Sequence, residues 1–241
     1  MASTKRLLKE RANTARNPIP YVTFNDDDDD DDDDEKMSDD APSDINEWRF
    51  VLALDPAHDS LDDASEIGKA ADSPYCHPPP SSSSSGKKSG GLLSGVTRAA
   101  KTSKKKDNDT ATGGQSSSSS SGGPAYFAFQ LDFPPNYPFK PPTITVLSNS
   151  YHPNINKETG AMCDEVLTGE GWGPTLNVRK ICMRLRKFLC DPDPDHPLES
   201  DIAQLLADKP EEYAVAAFKH ASEFATRKKA EGAMARGRQK K

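Results

Sequence analysis

The most informative stretch of the chain reads HPNINKETGAMC and occupies residues 152–163. It brings an amide side chain, Asn154, within one turn's reach of a cysteine, Cys163. Two further segments lie downstream, WGP at 172–174 and DPDPDHPL at 191–198. Together these segments predict a functional site that is formed by loops and contains one cysteine.

Alternating apolar residues predict a sheet before this site. Large side chains alternate with small or polar ones over 48–54 and again over 125–131, which puts the large groups on one face of each strand. Residues 21–24 and 143–146 predict two shorter strands. Strands with one apolar face each imply an antiparallel sheet with helices covering that face.

Apolar residues at helical spacing predict helices before and after the sheet. Residues 4–16 have the pattern of a short basic amphipathic helix. After the cysteine, Asn177 is placed to cap a buried helix. Its apolar stripe consists of Val178, Ile181, Cys182, Leu185, Phe188 and Leu189. Ser200 is placed to cap another short helix, and Pro210 opens a last one.

Two internal segments have compositions unfit to fold. Consecutive aspartates fill 26–34, and a long stretch rich in Ser, Gly and Lys separates the second and third strands. Lengthening a loop from about ten to about fifty residues costs only about 1.4 kcal/mol, so the sheet tolerates the insertion. We therefore expect one domain over 1–229, interrupted by disordered segments at 25–45 and 74–124 and followed by a basic tail at 230–241.

The cysteines show no paired spacing typical of a zinc site or a disulfide framework. Cys182 lies on the apolar stripe and is predicted to be core, Cys190 is predicted to pack at a helix end, and Cys76 looks incidental. No run approaches the roughly 18 apolar residues of a membrane span. The sequence therefore predicts a soluble, cytoplasmic or nuclear protein without a metal site or a cofactor.

The residues after Cys163 bear on its chemistry. A cysteine hydrolase needs a base that makes the thiolate, whereas Asp164 and Glu165 oppose thiolate formation. This argues against a hydrolase. A thiol that carries an acyl group by exchange needs little activation beyond proximity and orientation, and this pattern favours such a carrier.

Taken together, the segments around 152–163, 172–174 and 191–198 resemble the ubiquitin-conjugating enzymes. The resemblance implies an α+β fold, with a four-stranded antiparallel meander flanked by an N-terminal helix and C-terminal helices. It also implies that Cys163 accepts ubiquitin as a thioester from an activating enzyme and passes it to a substrate lysine or a ligase. Adenosine triphosphate would be consumed upstream.

The resemblance implies roles for residues around the thiol. Asn154 is the candidate to stabilise charge on the thioester carbonyl or to brace its loop. His152, which precedes a proline, is interpreted as a loop-bracing residue rather than a base. Asp193 and Asp195 match the loop that closes over the thioester and helps to orient the incoming lysine. His196 stands where a second aspartate is frequent, so lysine activation would fall to Asp195 or depend on pH through the imidazole.

The resemblance also implies partner-binding positions. The first helix would contact the activating enzyme and ligases, and two loops would dock RING or HECT ligases, since an exposed aromatic beside a proline is a natural anchor. The residues are Lys5, Arg6 and Lys9 on the helix, Phe139 in the first loop, and Pro174 and Thr175 in the second. The basic tail lacks interleaved aromatics, so no nucleic-acid partner is predicted.

Two alternatives remain open at this point. A conjugating enzyme for a ubiquitin-like modifier would share every motif, and a non-catalytic ubiquitin-binding variant would characteristically lack the cysteine. Cys163 argues against the second. The spacing from Asn154 to Cys163 is one residue longer than usual in the family, which predicts a remodelled loop.

Overall fold

A computed structural model describes residues 2–25, 45–59, 69–76, 123–162 and 172–237. The aspartate run, most of the Ser-rich insertion and Cys163 itself lie outside the described residues. The predictions of disorder at 25–45 and 74–124 therefore concern segments that the structure describes only at their ends.

The sheet has four antiparallel strands in the order of the chain, as the alternation of apolar residues predicted. They are β1 (Val22–Phe24), β2 (Glu47–Leu54), β3 (Ala125–Asp132) and β4 (Thr143–Val146). Phe50 pairs with Phe24 on one side and with Phe129 on the other, and Phe129 pairs in turn with Val146. The large residues therefore share one face across the whole meander, which confirms the predicted fold class.

The helices are α1 (Ala2–Arg16), α2 (Val178–Cys190), α3 (Ser200–Asp208), α4 (Pro210–Phe224) and α5 (Arg227–Arg236). The apolar face of the sheet packs with Leu7 of α1 and Leu185 of α2 in one core, where Phe50 stacks on Phe129 with ring centroids 5.6 Å apart. Removal of this apolar surface from water is the main stabilising contribution. No helix in the described part of the chain is long and apolar enough to cross a membrane.

α2 starts as the sequence predicted. The Asn177 side chain accepts a hydrogen bond from the Lys180 amide at 3.0 Å, and the predicted stripe, including Cys182, is buried except for the partly buried Phe188. Cys190 ends the helix, half-buried. Pro210 is the first residue of α4, whereas α3 begins without a side-chain cap.

α5 differs from the expectation of a basic tail over 230–241. Ala230 and Met234 are buried against Val51 and Ala128 on the outer face of the sheet. The small residues Val51 and Ala128 on β2 and β3 leave room for a helix there, and Ala230 and Ala233 of α5 pack in the same cluster. The basic residues of α5 point outward, which is why composition alone suggested a tail. Residues 238–241 are not described.

The start of the Ser-rich insertion also differs from the expected boundary at 74. Tyr75 and Cys76 are fully buried, and the Cys76 Sγ donates a hydrogen bond to the Leu54 carbonyl at 3.2 Å. Burial raises the pKa of the Cys76 thiol to about 11. Cys76 is therefore part of the core rather than an incidental linker residue, and it remains a thiol at neutral pH.

Candidate functional site

The chain leading to Cys163 is paired with β4 and with its own loop up to the residue before the cysteine. Ala161 bridges to Thr145 and Met162 bridges to Ile155, both antiparallel. The Val146 amide donates to the Gly160 carbonyl at 2.8 Å. Cys163 is not described, but Met162, to which it is bonded, pairs with Ile155 in the same loop.

The stretch before the cysteine includes a tight turn. The Asn156 Oδ1 atom accepts hydrogen bonds from the Glu158 and Thr159 amides and from the Thr159 hydroxyl, at 2.7–3.1 Å. Gly160 has φ of 67°, in the left-handed region that a side chain disfavours. The turn is therefore held by its own hydrogen bonds.

His152 is buried in the wall of the loop with no exposed surface. Its Nε2 atom lies 3.1 Å from the Phe188 carbonyl, and its Nδ1 atom accepts a hydrogen bond from the Asn154 amide at 3.1 Å. These partners require the proton on Nε2. Burial lowers the pKa of His152 to about 4, so the ring is neutral at physiological pH. The geometry is that of a bracing residue.

Asn154 connects this loop to residues 191–198, which we call the closing loop. Its Nδ2 atom donates to the Asp193 carbonyl at 2.6 Å and to the His196 carbonyl at 2.9 Å, and its Oδ1 atom accepts from the Asp193 amide at 3.0 Å. The residue is only 2% exposed. Both amide hydrogens are engaged by backbone carbonyls, so the side chain braces the loop in this arrangement.

Further bonds fasten the end of the closing loop. The Pro153 carbonyl accepts from the amides of Leu198 and Glu199, at 2.8 and 2.9 Å. The Glu199 carboxylate accepts from the Lys157 amide at 3.0 Å and pairs with the Lys157 ammonium at 3.3 Å. The closing loop is therefore attached to the cysteine-bearing loop at several points.

The tip of the closing loop carries the predicted acid and imidazole at the surface. The Asp193 carboxylate accepts from the Asp195 amide at 2.8 Å and lies 3.2 Å from the His196 Nδ1 atom. These two interactions, the amide first, lower the pKa of Asp193. The Asp193 and His196 side chains are about half exposed, and Asp195 is exposed. The tip can therefore meet a solvent-borne group.

The predicted partner-binding residues lie at the surface and on three neighbouring segments. Phe139 is 75% exposed, and Pro174, Thr175, Lys5 and Lys9 are exposed. Arg6 is half-buried and pairs with Glu10. The two loops are joined because the Trp172 indole donates to the Pro138 carbonyl at 3.0 Å.

Sequence reasoning missed a tyrosine cluster beneath His152. The Tyr75 hydroxyl donates to the Tyr151 carbonyl at 2.8 Å and lies 3.4 Å from the Tyr213 hydroxyl. The Tyr75 ring stacks on His152 at 6.4 Å between centroids. The position of Tyr75 at the edge of a low-complexity segment concealed this role. Within the described ranges, no group of three or more His, Cys, Asp or Glu side chains could hold a metal ion.

Comparisons with known proteins found similar sequences. Residues 118–221 match the family model for ubiquitin-conjugating enzymes. A curated relative, ubiquitin conjugating enzyme E2 B of Dictyostelium discoideum, is 45% identical over 78 residues, which are 32% of this chain and 51% of that protein. The chain therefore spans about half the length of this curated relative.

Two solved structures share the fold. A Toxoplasma gondii ubiquitin conjugating enzyme E2 domain has a TM-score of 0.51 at 21% identity, covering 92% of this chain and 99% of its own. A Plasmodium yoelii structure assigned to the ubiquitin conjugating enzymes has a TM-score of 0.54 at 19% identity, covering 94% and 97%. The family model and the curated relative are therefore similar to part of this chain, and the two solved structures share its fold.

Proposed function

We propose that this protein is a ubiquitin-conjugating enzyme that carries ubiquitin on Cys163 as a thioester, received from an activating enzyme. The thioester then passes to a substrate lysine or to the cysteine of a ligase. The observation that carries the proposal is the bonding of Asn154 to Asp193 and His196, which joins the loop before the thiol to the closing loop. Cys163 is bonded to Met162, which pairs with Ile155, the residue after Asn154.

Transfer to lysine is an acyl transfer from the thioester sulfur to an amine nitrogen. The amine nitrogen bonds to the thioester carbonyl carbon, the carbon–sulfur bond breaks, and its electron pair stays on the Cys163 sulfur. The amine loses a proton to a base. Positioning of the amine supplies most of the rate, as in other reactions in which two groups are held together.

We propose that Asn154 contributes by bracing the closing loop. Its two amide hydrogens are bonded to carbonyls at 2.6 and 2.9 Å, so an oxyanion role would require one of these bonds to be exchanged during the reaction. His152 acts in the same way from the buried side, since its ring nitrogens are both engaged within the loop wall.

We assign the contact with the incoming lysine to Asp195 and His196 at the exposed tip. The Asp193 carboxylate sits on the His196 Nδ1 atom, and a carboxylate in that place orients an imidazole. His196 would then take the proton that the amine loses, and Asp195 would attract the ammonium form of the lysine. The partner-binding residues Lys5, Arg6, Lys9, Phe139, Pro174 and Thr175 would receive the activating enzyme and RING or HECT ligases.

The test is a charging reaction with purified protein, activating enzyme, ubiquitin and adenosine triphosphate. A reductant-sensitive conjugate that discharges onto free lysine is expected. Parallel reactions with ubiquitin-like modifiers and their own activating enzymes test the other modifier class. Charging with another modifier alone, or with none, would contradict the proposal.

A further inference from the structure

A buried carboxylate lies behind the predicted partner-binding surface. Glu10 faces inward from α1 and is only 6% exposed. A buried charge is costly unless it is paired and hydrogen-bonded, so its partners decide its role. Sequence analysis passed over Glu10 because an acid within a basic amphipathic helix resembles an ordinary solvated residue.

The two carboxylate oxygens bond to three different segments. Oε1 accepts from the Tyr137 hydroxyl at 2.8 Å and from the Arg6 Nε atom at 2.6 Å. Oε2 accepts from the Val178 amide at 2.8 Å. Val178 is the first residue of α2, where amides lack partners within the helix and where negative charge is favoured.

Each bonded group adjoins an exposed partner-binding residue. Tyr137 precedes Phe139 by two residues, and Val178 follows Thr175 by three. The Arg6 Nη2 atom reaches the Leu176 carbonyl at 3.4 Å, in the loop that carries Thr175. We define the three-segment surface as the exposed residues of α1, of 136–142 and of 172–177.

The hydrogen bond from Tyr137 to Glu10 is fixed by the packing of the Tyr137 ring. The Tyr137 ring packs edge-on against Phe133 at 4.8 Å and lies 6.1 Å from the Trp172 ring, so its hydroxyl is aimed by the packing of both loops. Burial and the bond to Glu10 raise the pKa of Tyr137, so it stays a hydroxyl donor. Loss of the carboxylate would leave a buried hydroxyl and a helix-terminal amide without their acceptor, which is costly.

We infer that Glu10 is a positioning residue that fixes the three-segment surface as one rigid unit for ligase binding. The inference rests on the proposed function, since it concerns how the charged enzyme meets its ligase. Glu10 is buried, so its role does not involve contact with ubiquitin, the thiol or the lysine. Its effect is on the concentration of ligase needed, through the relative places of Phe139 and Thr175.

The experiment uses the full chain charged to completion with excess activating enzyme, then mixed with free lysine and a purified RING ligase domain at increasing concentration. Glu10→Gln keeps the size of the side chain but cannot accept all three bonds. We expect the ligase concentration at half-maximal rate to rise about tenfold. We expect the rate at saturating ligase to stay within about twofold, because bound ligase restores the surface.

Tyr137→Phe removes only one hydroxyl and provides a second test if Glu10→Gln folds poorly. It should raise the half-maximal ligase concentration by about threefold, and the double variant should fall short of the product of the single effects because the two groups are bonded. Glu211→Gln, the same change at an exposed position of α4, is the matched control and should alter neither quantity.

The outcomes separate this inference from the proposed function. If the unaltered protein forms no reductant-sensitive conjugate, the proposed function fails. If it charges normally but Tyr137→Phe and folded Glu10→Gln leave the half-maximal ligase concentration unchanged, the inference about Glu10 is overturned. A fall in the saturating rate alone, without any change in that concentration, also overturns it.

Discussion

The residues that anchor the closing loop, which we call its base, differ in burial from the residues at its tip. They therefore contribute differently. At the base, His152 and Asn154 are buried and every polar atom of the Asn154 amide is bonded. At the tip, Asp195 and His196 stand in solvent. The contrast teaches that the loop has a rigid foundation and a chemically accessible edge. Changes at the base should alter structure and transfer together, whereas changes at the tip should alter transfer alone.

The largest effect is expected from Asn154→Ala at the base. It removes three bonds to the closing loop, so transfer to lysine should fall about 100-fold and the free energy of unfolding should fall by about 2 kcal/mol. Discharge kinetics and urea unfolding measure the two quantities. Asn13→Ala, compared in discharge reactions without a ligase, is the control, because the Asn13 side chain accepts an exposed hydrogen bond from Asn17. Full transfer activity in Asn154→Ala would remove the bracing role.

The next effect concerns His152 and pH. Its folded-state pKa of about 4 lies below the ordinary value of 6.5, so the unfolded chain binds a proton that the folded chain refuses between these values. The free energy of unfolding should therefore fall by about 3 kcal/mol as pH drops from 6.5 to 4. His152→Gln should be less stable at pH 7 yet lose this part of the pH dependence. Parallel curves for the two proteins would contradict the burial of a neutral ring.

At the tip, His196→Ala should leave the free energy of unfolding within about 0.5 kcal/mol, because the side chain is exposed. Lysine discharge should fall about tenfold near neutral pH, because the imidazole no longer accepts the proton that the amine loses. An unchanged discharge rate in His196→Ala would assign the lysine contact to Asp195.

The smallest effect is expected in the turn before the thiol. Gly160→Ala forces a side chain into a left-handed conformation and should cost about 1 kcal/mol of unfolding free energy. Gly173→Ala is the matched control, because a methyl group there would meet its nearest atom at 3.9 Å and no positive φ is imposed. Equal stability of the two variants in urea would show that the turn is not strained by a side chain.

The strands and α2 could be predicted because their signals are local. Alternation put Phe50 and Phe129 on one face, and they pair directly. Asn177 stood before an apolar stripe and caps the helix. α5 was not predicted because its buried face consists mainly of alanines, which form no stripe of large apolar residues. Its basic residues also dominate the composition.

The site could be predicted only where its residues belong to one sequence motif. His152 and Asn154 could be identified from the loop, but their bonding partners lie about forty residues along the chain, at Phe188 and Asp193. Glu10 gave no signal because its partners, Tyr137 and Val178, are remote in sequence. Hydrogen-bond partners that are this far apart in sequence can be identified only from the three-dimensional structure.

The most direct test of the central claim replaces each cysteine separately by serine and repeats the charging reaction. Cys163→Ser should give a conjugate that resists reductant, as an ester does, while the serine variants of Cys76, Cys182 and Cys190 should retain the reductant-sensitive thioester. A thioester that survives in Cys163→Ser, or that vanishes only when another cysteine is replaced, would contradict the account.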